Sequence, residues 1–201
     1  SIAPDWIGSG FSAKPDKRDF AYTPEAFLTS LSEFISAIKL EKFYLVVQGF
    51  LASVGIQYAL QNPEQIEGLI ILNTPITAGV KLPWSMKQMT LPVVGDMMTQ
   101  DPLLVDRTLE KGSGFVIEDK DLDILRKPFL QSSDVGRALM TTLKKLQLDT
   151  VTPEIATGLK DWSTPTLIIW GTADTWLDVD DVKQLVNANS VITLVELPTA
   201  K

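Results

Sequence analysis

One short turn in the sequence has the spacing of a site for nucleophilic chemistry. An apolar, β-branched and aromatic run over residues 43–47 predicts a buried strand, and the small and apolar residues 50–60 predict a buried helix. Only Gln48 and Gly49 separate the two elements. A turn this sharp pushes its tip residue toward a positive φ, which glycine tolerates best, and the tip normally carries the hydroxyl, thiol or carboxylate that attacks a substrate. Because the tip here is Gly49, the sequence predicts the geometry of a nucleophile elbow without the attacking group.

Three further residues are candidates for roles around this turn. The backbone N–H of Phe50 would be an oxyanion donor if the elbow forms, whereas its side chain is expected to pack. Asp174 follows a later strand and has two open interpretations: an acid that orients a histidine, or a turn residue that caps the next helix. Ser53 lies one helical turn beyond the tip and is a less favoured substitute nucleophile. The alternative interpretation of Gly49 is an ordinary strand-to-helix glycine in a different α/β fold.

Two other groups of residues have both a functional and a structural interpretation. The first is an acidic triplet at a predicted helix start, where the helix dipole favours acids and where an oxygen-ligand metal site is the minor alternative: Asp178, Asp180 and Asp181. The second is a set of tryptophans that could line a cavity, although core packing explains most such residues: Trp84, Trp162, Trp170 and Trp176. We therefore predict neither a metal site nor a cofactor.

The composition limits the function further. With 201 residues, 45% of them hydrophobic, the chain can form one globular domain with a sizeable core. A net charge of −7 without a dense Lys/Arg run disfavours nucleic-acid binding. No stretch approaches the ~18 uninterrupted apolar residues of a membrane span, so we expect a soluble protein. The sequence has neither Cys nor His, which excludes disulfides and removes the commonest general base and metal ligand from these residues.

The elements around the elbow predict an α/β fold. Apolar runs predict four short strands, at residues 43–47, 68–73, 165–170 and 191–197. A helix from Pro24 to about Lys39, the helix after the elbow and a short helix near Val182 alternate with these strands, which predicts a mainly parallel sheet covered by helices on both faces. Residues 75–162 contain no strand-like run, and their clearest helical pattern is at residues 134–148.

Three stretches resemble a known fold family. They are residues 3–12 with Lys14-Pro15-Asp16, which resemble its loop after the fourth strand; Val46-Val47-Gln48, which resembles an approach to a catalytic aspartate; and Trp170-Gly171-Thr172-Ala173-Asp174, which resembles its loop with the triad acid. The family is the α/β-hydrolase fold, in the lid-bearing branch that includes haloalkane dehalogenases and epoxide hydrolases. The resemblance implies a partial α/β-hydrolase fold, with a core of residues 1–74 and 163–201 that is cut short at both ends, and a helical lid of residues 75–162.

A narrower resemblance involves the elbow and two stretches of the lid region. Val47-Gln48-Gly49-Phe50, Gln100-Asp101-Pro102-Leu103 and Arg126-Lys127-Pro128-Phe129-Leu130 are similar to a cyanobacterial and plant chloroplast group of α/β-hydrolase-like proteins with Gly at the nucleophile position. The similarity implies a location in the cytoplasm or the plastid stroma.

The resemblance also implies roles for the candidate residues. Gly49 would be a vacated nucleophile position, Phe50 a backbone oxyanion donor, and Asp174 the residue at the triad-acid position. The family's His-Gly turn after the third strand and its catalytic His would both lie outside residues 1–201.

These features lead to three hypotheses about function. The first is a non-catalytic binding or interaction module for a small apolar ligand or a protein partner. The second is an active hydrolase of small apolar esters, epoxides or haloalkanes that uses water and a His outside this segment. The third is a structural subunit of a larger assembly.

Overall fold

The computed structural model describes residues 1–101, 103–113 and 116–200. Within these ranges the chain forms nine α-helices, four strands and one short 3-10 turn at Pro63–Gln65. In chain order the elements are α1 (Pro24–Ala37), β1 (Phe43–Gln48), α2 (Ser53–Gln61), β2 (Ile66–Leu72), α3 (Trp84–Gln88), α4 (Val94–Thr99), α5 (Leu104–Ser113), α6 (Asp119–Gln131), α7 (Ser133–Lys144), α8 (Leu148–Lys160), β3 (Thr166–Gly171), α9 (Val179–Ala188) and β4 (Ile192–Leu197).

The four strands form a single sheet in the order β1-β2-β3-β4, and every neighbouring pair is parallel. The register pairs Gln48 with Leu72, Leu72 with Ile169, and Gly171 with Leu197. The predicted mainly parallel α/β sheet is therefore confirmed. Since parallel strands end at the same edge of a sheet, the residues that follow β1, β2 and β3 meet there.

Contacts between residues divide the chain into two compact units. The sheet unit comprises Leu28–Lys81 and the chain from Leu146 onward, and the helical unit comprises Ser1–Phe27 and Leu82–Lys145. The predicted division into a core and a lid stays a prediction, because a compact unit is defined by its internal contacts and a lid by what it covers.

In the sheet unit, the helix after the elbow packs directly on its own strand. A Cβ added to Gly55 of α2 would lie 2.8 Å from Cγ1 of Val47 in β1, so only glycine permits this approach. The helices α8 and α9 complete the packing, α8 against α2 and α9 against both α8 and β4. The core side chains of the sheet are almost completely buried, as Ile71, Ile168 and Trp170 show.

One face of the sheet differs from the prediction. The register places Tyr44 and Val46 of β1 on the same face as Val195 and Leu197 of β4. All four are exposed, Tyr44 by 66% and Val46 by 57%. The expectation of a sheet covered on both faces is wrong for the two edge strands on this face, because an apolar run shows that a strand suits burial but does not supply the element that buries it.

The helical unit is held together by helix pairs and by a cluster of aromatic rings. The helix α4 packs on α7, and α6 packs on α5 and α7. The rings of Trp6, Phe20, Tyr22 and Phe27 make edge-to-face contacts with centroids 4.9–6.1 Å apart. The helix predicted at residues 134–148 ends earlier in the structure. The helix α7 ends at Lys144, Gln147 takes a φ of 50°, and α8 begins at Leu148.

Among the described residues, no helix is long and apolar enough to cross a membrane. Of the Gln100–Leu103 stretch that carries part of the narrower resemblance, Pro102 lies outside the described residues.

Candidate functional site

Gly49 lies directly after β1 and has a φ of 81°, the positive value expected for the tip of a sharp turn. Its backbone N–H donates to the carbonyl oxygen of Asn73 at 3.3 Å. A Cβ added to Gly49 would meet no heavy atom of the described residues within 4 Å. The tip therefore has the backbone conformation of an elbow and space for a side chain, but no side chain.

Phe50 and Ser53 follow the tip at the beginning of α2. The side chain of Phe50 is buried, as expected for a packing residue. Among the described residues, the hydrogen bonds include none from the Phe50 backbone N–H, so this donor is free for another acceptor. The Ser53 hydroxyl donates to the Phe50 carbonyl oxygen at 2.9 Å and is buried. That hydroxyl is engaged in the first turn of the helix, which gives Ser53 a structural role.

Asp174 lies in the loop after β3, and three protein groups donate to its carboxylate. Oδ1 accepts from the backbone N–H groups of Trp176 at 2.6 Å and Leu177 at 3.2 Å. Oδ2 accepts from Nδ2 of Asn73 at 2.7 Å. The turn interpretation of Asp174 therefore matches the geometry, whereas its expected cap on the next helix is wrong, because Asp178 caps α9 by accepting from the Asp180 N–H.

Asn73 is the site residue that sequence reasoning missed. Its Nδ2 bonds to Asp174 and also to the Gly171 carbonyl at 3.2 Å, while its Oδ1 accepts from the Gly171 N–H at 2.8 Å. Its own carbonyl holds the Gly49 N–H. With a φ of 32°, Asn73 has a left-handed backbone, which asparagine tolerates better than most residues.

One residue thus connects the predicted nucleophile position to the predicted acid position. The signal that could have revealed Asn73 is its place, since a polar residue directly after a buried strand lies at the functional edge of a parallel sheet.

The acidic triplet and the tryptophans have mostly structural roles. In the described part of the chain, no group of three Asp or Glu residues is arranged to hold a metal ion. Trp162 and Trp170 are buried, and their indole N–H groups donate to Thr166 Oγ1 and to the Leu177 carbonyl. Trp84 is exposed in the helical unit, whereas Trp176 is half-buried and lines a cavity of the sheet unit.

Comparisons with known proteins give a fold but no family. No protein-family model matches the chain. A stretch of 74 residues is 38% identical to cis-3-alkyl-4-alkyloxetan-2-one decarboxylase from Shewanella oneidensis, which is 36% of this chain and only 23% of that enzyme.

Solved structures match almost the whole chain. Haloalkane dehalogenase DbeA from Bradyrhizobium elkani has a TM-score of 0.85 at 18% identity, over 99% of this chain and 72% of that one. Haloalkane dehalogenase DatA from Agrobacterium tumefaciens C58 has a TM-score of 0.80 at 17% identity, over 98% and 71%. At this level of identity the likeness concerns the fold. The chain has the α/β-hydrolase fold, as the sequence predicts.

Proposed function

We propose that the protein is an α/β-hydrolase-like binding or interaction module in which Gly49 stands at a vacated nucleophile position. The observation that carries the proposal is the tip itself, which has a φ of 81° at the carboxyl end of β1 and open space where a side chain would extend. The geometry of an elbow is present at a residue that has no atom able to attack a substrate.

In nucleophilic catalysis, a lone pair at the tip forms a bond to the substrate carbon while the leaving group departs with the bonding electrons. Gly49 offers only its backbone groups: an N–H, which donates to the Asn73 carbonyl, and an amide carbonyl, which is too weak a nucleophile for this step. Loss of an enzyme nucleophile costs roughly six orders of magnitude in kcat in a well-studied protease. We therefore expect no covalent intermediate and negligible turnover.

The remaining groups suit binding. Among the described residues the backbone N–H of Phe50 donates to no protein acceptor, so it can donate to a carbonyl or another polar atom of a ligand. On the proposed model, residues 75–162 form a lid and a small apolar ligand or a protein partner occupies the space that a substrate once took. The similarity of the elbow and lid-region motifs to the cyanobacterial and plant chloroplast group supports a soluble protein of the cytoplasm or plastid stroma.

A second candidate function is a hydrolase in which water, activated by a His outside residues 1–201, is the attacking group. The observation that favours it is that Asp174 is retained and connected to the elbow through Asn73. A carboxylate oxygen has two acceptor positions, and Asn73 fills one of those on Oδ2, so one position stays open for an imidazole N–H.

Turnover assays separate the two candidates. The full-length protein, with any residues that precede Ser1 or follow Lys201, is incubated with short-chain esters, epoxides, haloalkanes and an alkyl-substituted oxetan-2-one. Gly49→Asp and, as the control for backbone strain, Gly49→Ala are assayed beside it. The proposal predicts no turnover above background by the unmodified protein or by Gly49→Ala. Robust turnover by the unmodified protein that disappears in Asp174→Asn would overturn the proposal and establish the water-based hydrolase.

A further inference from the structure

A cavity lies in the sheet unit, between the loops that follow β2 and β3. It has a volume of about 450 Å³, and its walls are the loop of residues 74–81 and the segment of residues 176–181 with Trp170. Neither Gly49 nor Asp174 is among the residues that line it. The volume is within the roughly 300–1,000 Å³ that is usual for small-molecule sites.

The cavity has an apolar floor and a charged rim. The floor includes Ile76, Trp170 and Leu177, which are all buried. The rim has three exposed charged side chains, one basic and two acidic: Lys81, Asp178 and Asp181. The half-buried side chains of Trp176 and Val80 also line the cavity and offer apolar surface to a ligand. Two carboxylates against one ammonium favour a cationic ligand group over an anionic one.

Hydrogen bonds hold the two walls in place. Asn73 directly precedes the loop of residues 74–81, and the carboxylate of Asp174 fixes the backbone N–H groups of Trp176 and Leu177 in the other wall. The bond of 2.7 Å between Asn73 and Asp174 therefore joins both walls at their base. A cavity with walls fixed in this way binds without the cost of ordering its loops.

We propose that this cavity binds a small organic cation, an ammonium group on an aromatic or short aliphatic body. The body packs against the half-buried side chains of Val80 and Trp176, and the ammonium lies beside the carboxylates of Asp178 and Asp181. The site uses no atom of Gly49 or Phe50, so it is independent of whether the elbow is catalytic.

Three probes of similar size and different charge test the proposal on the whole protein. They are phenethylammonium, phenethyl alcohol and hydrocinnamate, and binding is measured by isothermal titration calorimetry and by tryptophan fluorescence. The proposal predicts the highest affinity for the ammonium, lower affinity for the alcohol and the lowest for the carboxylate. Equal affinity for the three probes, tightest binding of the carboxylate, or no binding of the ammonium would overturn it.

Matched variants place the binding in this cavity. Asp181→Asn and Asp178→Asn should each weaken ammonium binding about two- to fivefold, in line with exposed charge pairs, and leave alcohol binding unchanged. Asparagine retains an oxygen that can cap α9, so Asp178→Asn is expected to fold. Asp180→Asn is the control, because Asp180 is on the same helical turn but does not line the cavity.

Most of the fluorescence change on ammonium binding should be lost in Trp176→Phe, since Trp170 lines the cavity but is buried. An equal loss of affinity in Asp180→Asn and Asp181→Asn would show only non-specific attraction to an acidic surface and would contradict the proposal. A fluorescence change of undiminished size in Trp176→Phe would also contradict it.

Discussion

The ends of β1 and β3 lie at the same edge of one sheet, but the residues that follow them differ in what they contribute to the fold. Gly49, after β1, has no side chain, and an added Cβ would contact nothing within 4 Å. Asp174, after β3, accepts hydrogen bonds from three protein groups. The comparison shows that the Asp174 side chain is part of the hydrogen-bonded structure, whereas Gly49 contributes no side-chain contact. A side chain at the tip would strain the backbone, so a glycine there costs no stability.

The largest expected effect on stability is at Asp174. Asp174→Ala removes the acceptor for the Trp176 and Leu177 N–H groups and for Asn73 Nδ2, and we expect a loss of about 2–4 kcal/mol in the free energy of unfolding. Asp174→Asn retains an oxygen for the two backbone groups and should lose less. Chemical denaturation of the three proteins measures both values. Equal stability of Asp174→Ala and the unmodified protein would contradict a stabilising role of the Asp174 hydrogen bonds.

Substitutions at Asn73, which connects Gly49 to Asp174, should have the next largest effect on stability. Asn73→Gly keeps a residue that tolerates positive φ but removes the side chain, and we expect a loss of about 1–3 kcal/mol. Asn73→Asp places a second carboxylate beside Asp174 and should lose more at neutral pH.

A double variant in which the two side chains are exchanged tests whether Asn73 and Asp174 act as a pair. In Asn73→Asp with Asp174→Asn the amide and the carboxylate change places, so an N–H donor again faces an oxygen and part of the stability should return. A double-mutant cycle measured by denaturation gives the coupling between the two positions. Strictly additive effects would mean that Asn73 and Asp174 do not act as a pair.

Substitutions at Gly49 should change stability only through the backbone conformation. Gly49→Ala forces a side chain into a positive φ and should lose about 1–2 kcal/mol, with no contribution from crowding because the space is open. Gly49→Asp should lose less than Gly49→Ala, since aspartate is better tolerated in this conformation. The same denaturation measurement applies, and a loss well above that range would show that Gly49 is packed.

The smallest effect is expected at Ser53. Ser53→Ala removes the hydrogen bond to the Phe50 carbonyl and should lose about 1 kcal/mol. Because the hydroxyl has only this structural role in our account, the variant should bind ligands and process substrates as the unmodified protein does. An activity that disappears with Ser53 would identify it as a substitute nucleophile.

Much of the fold could be predicted from the sequence, because buried parallel strands are local apolar runs. The run at residues 43–47 became β1 (Phe43–Gln48), and the two-residue link after it was enough to predict the positive φ of Gly49. The break at Gln147 could not be predicted in this way. The helical pattern continues through it, and the left-handed backbone of one non-glycine residue leaves no sign in that pattern.

The candidate site was predictable only in part. Gly49 and Asp174 are in recognisable loops, but Asn73 acts through distant partners, since Gly171 is 98 positions and Asp174 101 positions further along the chain. Such pairings depend on the sheet register, which a single sequence does not state. The exposed face with Tyr44 and Val46 was missed for a related reason, since the covering element of a strand is non-local.

The most direct test of the central claim is the intact mass of the protein after incubation with a haloalkane. Gly49 provides no attacking atom, so the account predicts no covalent adduct on the unmodified protein. In Gly49→Asp the carboxylate can displace the halide, so an ester at residue 49 should form. Peptide mapping locates the adduct. An adduct on the unmodified protein within residues 48–53 would contradict the account.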